Sequence, residues 1–301
     1  MRVFAHFLIA ASMSNLIANP VLTRELFGRI RGRNAWWILT GYLTIIGAIT
    51  LLIYAVFVTS ASLNDPNTSG TIGKTIFFTV MIAALIQVCF LSPSLTAGAI
   101  VGEKERQTYD LLMASLLSPW QIVTGKLISA IAFALLLIMA SLPIAGFALI
   151  FGGVTAQELL IGVVGLLVTA VSYAAIGLFW STVMRSTLGA TVTAQGTVIA
   201  ILLLVPFLFF VISTLVGAFN GAPTPLYVYT MGLFLCLHPF IALGITATSL
   251  ETGSGIWLWS VPSSVGDLTV PSPWLVYTGL AFLITGIALA SAIHRIKPSE
   301  A

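Results

Sequence analysis

Few residues in this chain could do chemistry, and most stand alone. Gly73-Lys74-Thr75, in "TSGTIGKT" (68–75), carries the last three residues of a phosphate-binding loop. Thr68 stands where the first glycine belongs, and such a cradle needs backbone N–H groups held between a strand and a helix. The expectation is a plain loop ahead of an apolar run. His6, His238 and His294 have no second ligand at metal-binding spacing. Cys89 and Cys236 lie within apolar runs, where cysteine packs as a small hydrophobe. No spacing suggests a Ser, His and carboxylate set. Glu158 and Glu251 stand at the edges of apolar runs, and no carboxylate falls inside one, where it would mark a proton relay. The reading therefore contains no catalytic, cofactor-binding or metal-binding residue. One stretch is different. "GEKERQTYD" (102–110) sets Glu103, Lys104, Glu105, Arg106 and Asp110 within eight positions.

The surroundings make that density of charge unusual. Charged residues are 7% of the 301 and hydrophobic ones 58%, whereas soluble domains carry about 25% charge. Mean hydropathy is +1.09. Only a bilayer covers so much apolar surface. A net charge of +3 is too weak, and too scattered along the chain, to argue for nucleic acid, so no nucleic-acid partner is expected.

Six runs are long enough to cross: about 36–58, 76–101, 125–151, 159–180, 192–216 and 274–293. A seventh, 227–250, is broken by His238-Pro239. Charge decides its status. With six crossings and the N-terminus inside, eleven of the twelve Lys and Arg fall on the inner side, and only Lys74 falls outside. A seventh crossing would send Arg295 and Lys297 outside. The 227–250 segment is therefore expected as a re-entrant or surface-lying hairpin on the outer face, where protein or water must cover its irregular backbone. The fold class is an all-α integral membrane protein: a cytoplasmic segment 1–35, then one transmembrane domain 36–301. Polar span residues such as Thr96, Thr169, Gln195 and Thr197 either bond helix to helix or line a cleft.

Two segments outside the spans carry helical patterns. In 103–117, Tyr109, Leu112, Met113 and Leu116 repeat at helical spacing, opposite Glu103, Arg106, Gln107 and Asp110. Arg106 and Asp110 form an i,i+4 pair on that helix. Ser118 is placed to cap the next helix, with Pro119 at its first position. A loop needed only to hold the chain inside would use Lys or Arg alone, so the mixed signs suit a rigid contact with a cytosolic protein. Upstream, Asn19 and Pro20 open an amphipathic helix that pairs Glu25 with Arg29, carries Arg24, and runs into Trp36-Trp37. That pattern reads as an interface helix. The first fifteen residues weakly resemble a signal peptide without a cleavage signal, and a surface helix or short buried segment is expected there.

These two segments carry a resemblance. "NPVLTREL" (19–26) and "GEKERQTYDLLMASLLSPWQIVTGKL" (102–127) resemble the opening helix and the signature between the second and third spans of ABC-2 type ATP-binding-cassette transporter permeases. The signature falls on Glu103, Lys104, Glu105, Thr108, Leu111, Leu112, Ser118, Pro119, Gly125 and Lys126, and departs mildly at Tyr109-Asp110. The resemblance implies a permease subunit in the plasma (inner) membrane, with both termini cytoplasmic, that mostly serves export. It implies two copies of a separate ATP-binding subunit, which would hold ATP and magnesium, and a second permease chain, identical or different. Coupling to the ATPase would fall to Glu103, Lys104, Glu105, Arg106, Thr108, Asp110 and Leu112. Asn19, Pro20, Arg24, Glu25 and Arg29 would form the interface helix. Two alternatives remain at this point: a membrane partner through which an ATPase performs a mechanical or assembly task, and an integral membrane enzyme.

The charge asymmetry fixes an expected topology. In a background lacking Cys89 and Cys236, single cysteines at 64–70 and 253–266 should react only with reagent added outside. Cysteines in the C-terminal tail should react only from inside. Outside labelling of that tail would restore a seventh crossing.

Overall fold

The computed structural model describes residues 33–60, 68–114, 117–217, 221, 223–251, 253 and 255–296. The expected interface helix, with Asn19, Pro20, Arg24, Glu25 and Arg29, lies outside the described residues. The described residues form ten helices and one hairpin. In chain order they are α1 (Arg33–Ser60), α2 (Thr68–Ala97), α3 (Val101–Glu105), α4 (Tyr109–Met113), α5 (Pro119–Phe151), α6 (Ala156–Val183), α7 (Thr187–Leu215), α8 (Pro225–Leu235), α9 (Pro239–Glu251), β1 (Leu258–Ser263), β2 (Gly266–Pro271) and α10 (Pro273–Arg295). Among the described residues, six helices are long and apolar enough to cross a membrane: α1, α2, α5, α6, α7 and α10.

The hub is α6, which packs against α2, α5, α7, α9 and α10. Its sequence explains this. Gly165, Ala170, Ala174, Ala175 and Gly177 are small and buried, and small residues let helix backbones approach closely in lipid. A Cβ on Gly177 would meet Pro93 Cα of α2 at 2.8 Å, and the Pro93 carbonyl and Thr96 Oγ1 closer still. Thr96 Oγ1 donates to the Ala174 carbonyl at 2.7 Å across the same crossing. Polar span residues are used in this way elsewhere. Thr169 and Tyr277 share a hydrogen bond of 2.6 Å between α6 and α10. Trp180 Nε1 donates to Thr197 at 2.9 Å. Gln195 donates to Ser94 at 2.5 Å and to the Phe90 carbonyl. At the periphery, α1 and α7 leave most of their apolar surface uncovered.

Three observed features differ from the sequence reading. Residues 68–75 are the first turns of α2, not a loop. Thr75 bonds back along the helix to the Thr71 carbonyl at 2.9 Å, which suits Thr to a helix in an apolar setting. The 258–271 segment is a hairpin pairing Leu258 with Pro271 and Ser263 with Gly266. It is fastened to the start of α10 by Trp274 Nε1 donating to Ile256 and Ser272 N–H to Trp257, both at 2.9 Å. The third feature is the 103–117 segment, which is not one continuous helix.

The His238-Pro239 break is present. It separates α8 from α9. His238 Nδ1 accepts the Ile241 N–H at 3.2 Å, and Nε2 lies 3.2 Å from the Leu202 carbonyl, midway along α7. Tyr227, near the start of α8, bonds Ser213 near the end of α7. Glu251, at the end of α9, bonds Lys74 near the start of α2 at 2.8 Å. The helix pair thus begins and ends at one end of the bundle and turns at mid-depth.

The α2–α6 crossing generates a test. Gly177→Val should force the two backbones apart and cost about 1–3 kcal/mol as an overpacked site. Thermal unfolding of the purified chain in detergent should show a lower midpoint, whereas Gly146→Val on α5, where a Cβ meets nothing, should change it little.

Candidate functional site: the charged loop between the second and third spans

The expected helix over 103–117 is two helices, α3 and α4, of five residues each. The break is a helix C-cap of the left-handed kind. Thr108 N–H donates to the Glu103 carbonyl at 2.9 Å and Gln107 N–H to the Lys104 carbonyl at 3.1 Å, with Gln107 at φ 57°. This is the Schellman arrangement, usually built on glycine. Arg106 and Asp110 therefore do not share a continuous helix, and the i,i+4 geometry expected for them is lost. Leu116 lies outside the described residues.

The inner side of α3 is bonded to three different spans. The N–H groups of Ile100 and Val101 donate to Ser181 Oγ of α6 at 2.8 and 3.1 Å. Glu103 pairs with Lys126 of α5 at 3.3 Å, and its other oxygen accepts from Thr108 Oγ1 at 2.5 Å. Lys126 is 2% exposed, and the carboxylate gives its buried ammonium an acidic partner. Glu105 accepts the Thr187 N–H at 2.7 Å and also the Thr187 hydroxyl. Thr187 is the first residue of α7, so the carboxylate sits at the positive end of that helix, where an anion is stabilised. The sequence reading aimed Glu105 at a partner. The structure turns it onto α7.

The apolar stripe behaves as its spacing implied. Tyr109, Leu112 and Met113 pack against a buried cluster that includes Ile100, Ile122 and Leu178. Burial, then the neighbouring Asp110 carboxylate, raises the Tyr109 phenol above its ordinary pKa, so it stays protonated near neutrality. Lys104 lies over the Tyr109 ring at 5.2 Å. Ser118 caps α5 in a reciprocal box with Gln121, with Pro119 in the first turn, as the sequence implied. The outer side presents Lys104, Arg106, Gln107, Asp110 and Leu111. Leu111 is 74% exposed, an apolar side chain among charges.

Of the seven residues singled out, then, Glu103, Glu105 and Thr108 are bonded within the bundle, Leu112 is packed, and Lys104, Arg106 and Asp110 face outward. Their fixed partners, Lys126, Ser181 and Thr187, were not singled out as site residues. Ser186-Thr187 did carry a helix-start signal, and Ser186 Oγ caps α7 by accepting from Gly189 N–H. Other candidates resolve differently. Gly73 lies where α2 passes the end of α5, and a Cβ there would strike the Gly152 and Ala148 carbonyls. Lys74 is in an ion pair and Thr75 bonds its own helix. Of the three, Gly73 is the packing residue. Among the described residues, no three His, Cys, Asp or Glu gather as a metal site.

The buried pair can be tested by a double-mutant cycle. Lys126→Met should destabilise the chain, by up to about 3 kcal/mol, because Glu103 loses its partner. Adding Glu103→Gln should recover much of that loss. Thermal unfolding of both single variants and the double variant measures the coupling.

No curated protein matches the chain. The family described as ABC-2 family transporter protein matches residues 52–293. That span takes in α2, α5, α6 and α7 whole and nearly all of α10. It also includes the charged loop with all its partners, the broken helix pair and the hairpin. The chain is therefore a membrane protein of the ABC-2 transporter family.

Proposed function

We propose that this chain is the permease subunit of an exporter driven by a separate ATP-binding subunit, and that the outer side of α3 and α4 is the docking surface for that subunit. The observation that supports this is the two-sidedness of the α3–α4 loop. Its inner side is hydrogen-bonded to α5, α6 and α7, while its outer side offers both charge signs and Leu111 to solvent. A loop that only anchored the chain inside would need neither feature. Displacement of α3 would be felt by three spans at once, and by α2 through the chain itself.

In this reading two ATP-binding subunits, holding ATP and magnesium, close on nucleotide and push α3 and α4 of two permease chains. The membrane helices then exchange between two arrangements. Both termini and the charged loop lie in the cytoplasm, the hairpin and the outer ends of α8 and α9 lie on the far side of the plasma membrane, and α8–α9 is re-entrant, with its His238 turn at mid-depth. The lopsided distribution of Lys and Arg supports this orientation.

Arg106→Glu tests the docking surface without touching the bonds of Glu103 or Glu105. Co-purification with the ATP-binding subunit and ATP turnover of the complex in lipid should fall several-fold, with the thermal midpoint of the permease unchanged. Gln107→Cys should crosslink to cysteines placed on the ATP-binding subunit. Normal assembly and turnover, with no crosslink anywhere from 103 to 113, would reduce the loop to a topological anchor.

A further inference from the structure

At the far end from the charged loop, a cavity of about 180 Å³ lies between α2, α6 and α9. Phe77, Phe78 and Met81 form the α2 wall, and Phe240 and Leu243 the α9 wall. Among the described residues one ionisable side chain lines it, Glu158 of α6. Its Oε2 accepts the Thr155 N–H at 2.6 Å and the Thr155 hydroxyl at 3.0 Å in the capping box of α6. Its Oε1 has no partner among the described residues. Lys74 does not neutralise it, because Lys74 is held by Glu251 at 2.8 Å. That ion pair joins α2 to α9 beside the cavity, since Phe78, one turn after Lys74, and Leu250, next to Glu251, both line it. The charge left at the mouth is negative, and the body of the cavity is aromatic and aliphatic.

We propose that this cavity binds a small hydrophobic cation, an aryl-alkyl amine, with its ammonium on Glu158 and its ring among Phe77, Phe78 and Phe240. An apolar cavity of about 150 Å³ is enough for a benzene ring, so this one holds a ring and a short linker. The faces of the phenylalanines also attract a cation. A neutral hydrocarbon, or the acyl chain of a lipid, would match the walls and leave the carboxylate unmet. Charge complementarity selects the amine.

The test uses the full chain in lipid nanodiscs, with 2-phenylethylamine as probe, ethylbenzene as its neutral counterpart and empty nanodiscs as background. Calorimetry should show saturable binding of the amine, competed weakly by ethylbenzene. Glu158→Gln keeps the capping box, because glutamine serves at the same position. The thermal midpoint should therefore stay, while affinity for the amine falls about tenfold or more with the loss of a charge-assisted hydrogen bond. Ala247→Phe, which fills the cavity from α9, should remove saturable binding. Equal affinity for amine and ethylbenzene, or unchanged affinity in Glu158→Gln, would show a hydrocarbon slot and overturn the proposal. Absence of saturable amine binding to the parent chain would overturn it as well.

Discussion

At Gly177 the backbones of α6 and α2 come so close that no Cβ fits between them. In lipid there is no hydrophobic drive to bring two apolar helices together, so close packing and interhelical hydrogen bonds must do it. This crossing has both, through the missing side chain and the Thr96 to Ala174 bond. It also occurs where Pro93 deprives α2 of one internal hydrogen bond. The weakest turn of α2 is thereby held against the most central helix. The charged loop inherits its position from that contact. Four residues past Thr96, Ile100 meets Ser181 on the same helix, and α3 begins there.

The charged loop then divides its charges between two tasks. Glu103 and Glu105 stand two positions apart on a short helix, yet reach α5 and α7 respectively. The cap at Gln107 makes this possible. By ending α3 after one turn it lets Thr108 fold back onto Glu103, and it sets Tyr109, Leu112 and Met113 against the bundle. A single straight helix would have kept the two acidic residues near the plane of the membrane surface while carrying the later residues away. Exposed charge on the opposite side of α3 costs little to keep in water, and exposed ion pairs add little stability.

The sequence made the spans legible because nothing about them is ambiguous. Runs of twenty or more apolar residues with charge confined to their ends have one physical solution. The cap at Ser118, the break at His238-Pro239 and the stripe of Tyr109, Leu112 and Met113 were legible too, since each depends on neighbours in sequence. The illegible features depend on partners far along the chain. The spacing of 103–117 fits a continuous helix, and only the bonds of Glu103 and Glu105 to distant spans favour a left-handed residue at Gln107. Gly73-Lys74-Thr75 resembled a loop because polar residues seldom continue a membrane helix. The contact of Gly73 with the end of α5 and the pairing of Lys74 with Glu251 reverse that reading. The hairpin did carry a local signal. Leu258, Ser260 and Pro262 alternate with Trp259, Val261 and Ser263, and Gly266 comes after a short turn. Its two prolines, Pro262 and Pro271, are tolerated because a two-stranded sheet consists only of edges.

The two ends of the bundle are held by different physics, and this bears on which of them can move. At the charged end, beside the buried bonds of Ser181 and the pairing of Glu103 with buried Lys126, the tie of Glu105 to Thr187 is a charge-assisted hydrogen bond at an exposed position. Such bonds exchange with water and with a docking partner's charges at small net cost. At the other end α9 is wedged between α6 and α10. Ala242 packs with Tyr277 and Ala281, a Cβ on Gly165 would strike Leu243, and Trp274 N–H donates to Thr246. Packed interfaces of this kind shift between discrete arrangements rather than deform smoothly. The His238 turn reaches α7 at mid-depth, so α7 is touched from both sides: by Glu105 at its first turn and by His238 at its centre. α6 likewise contacts the charged loop through Ser181 and α9 through Gly165, so α6 and α7 are the crossing helices that link the two ends.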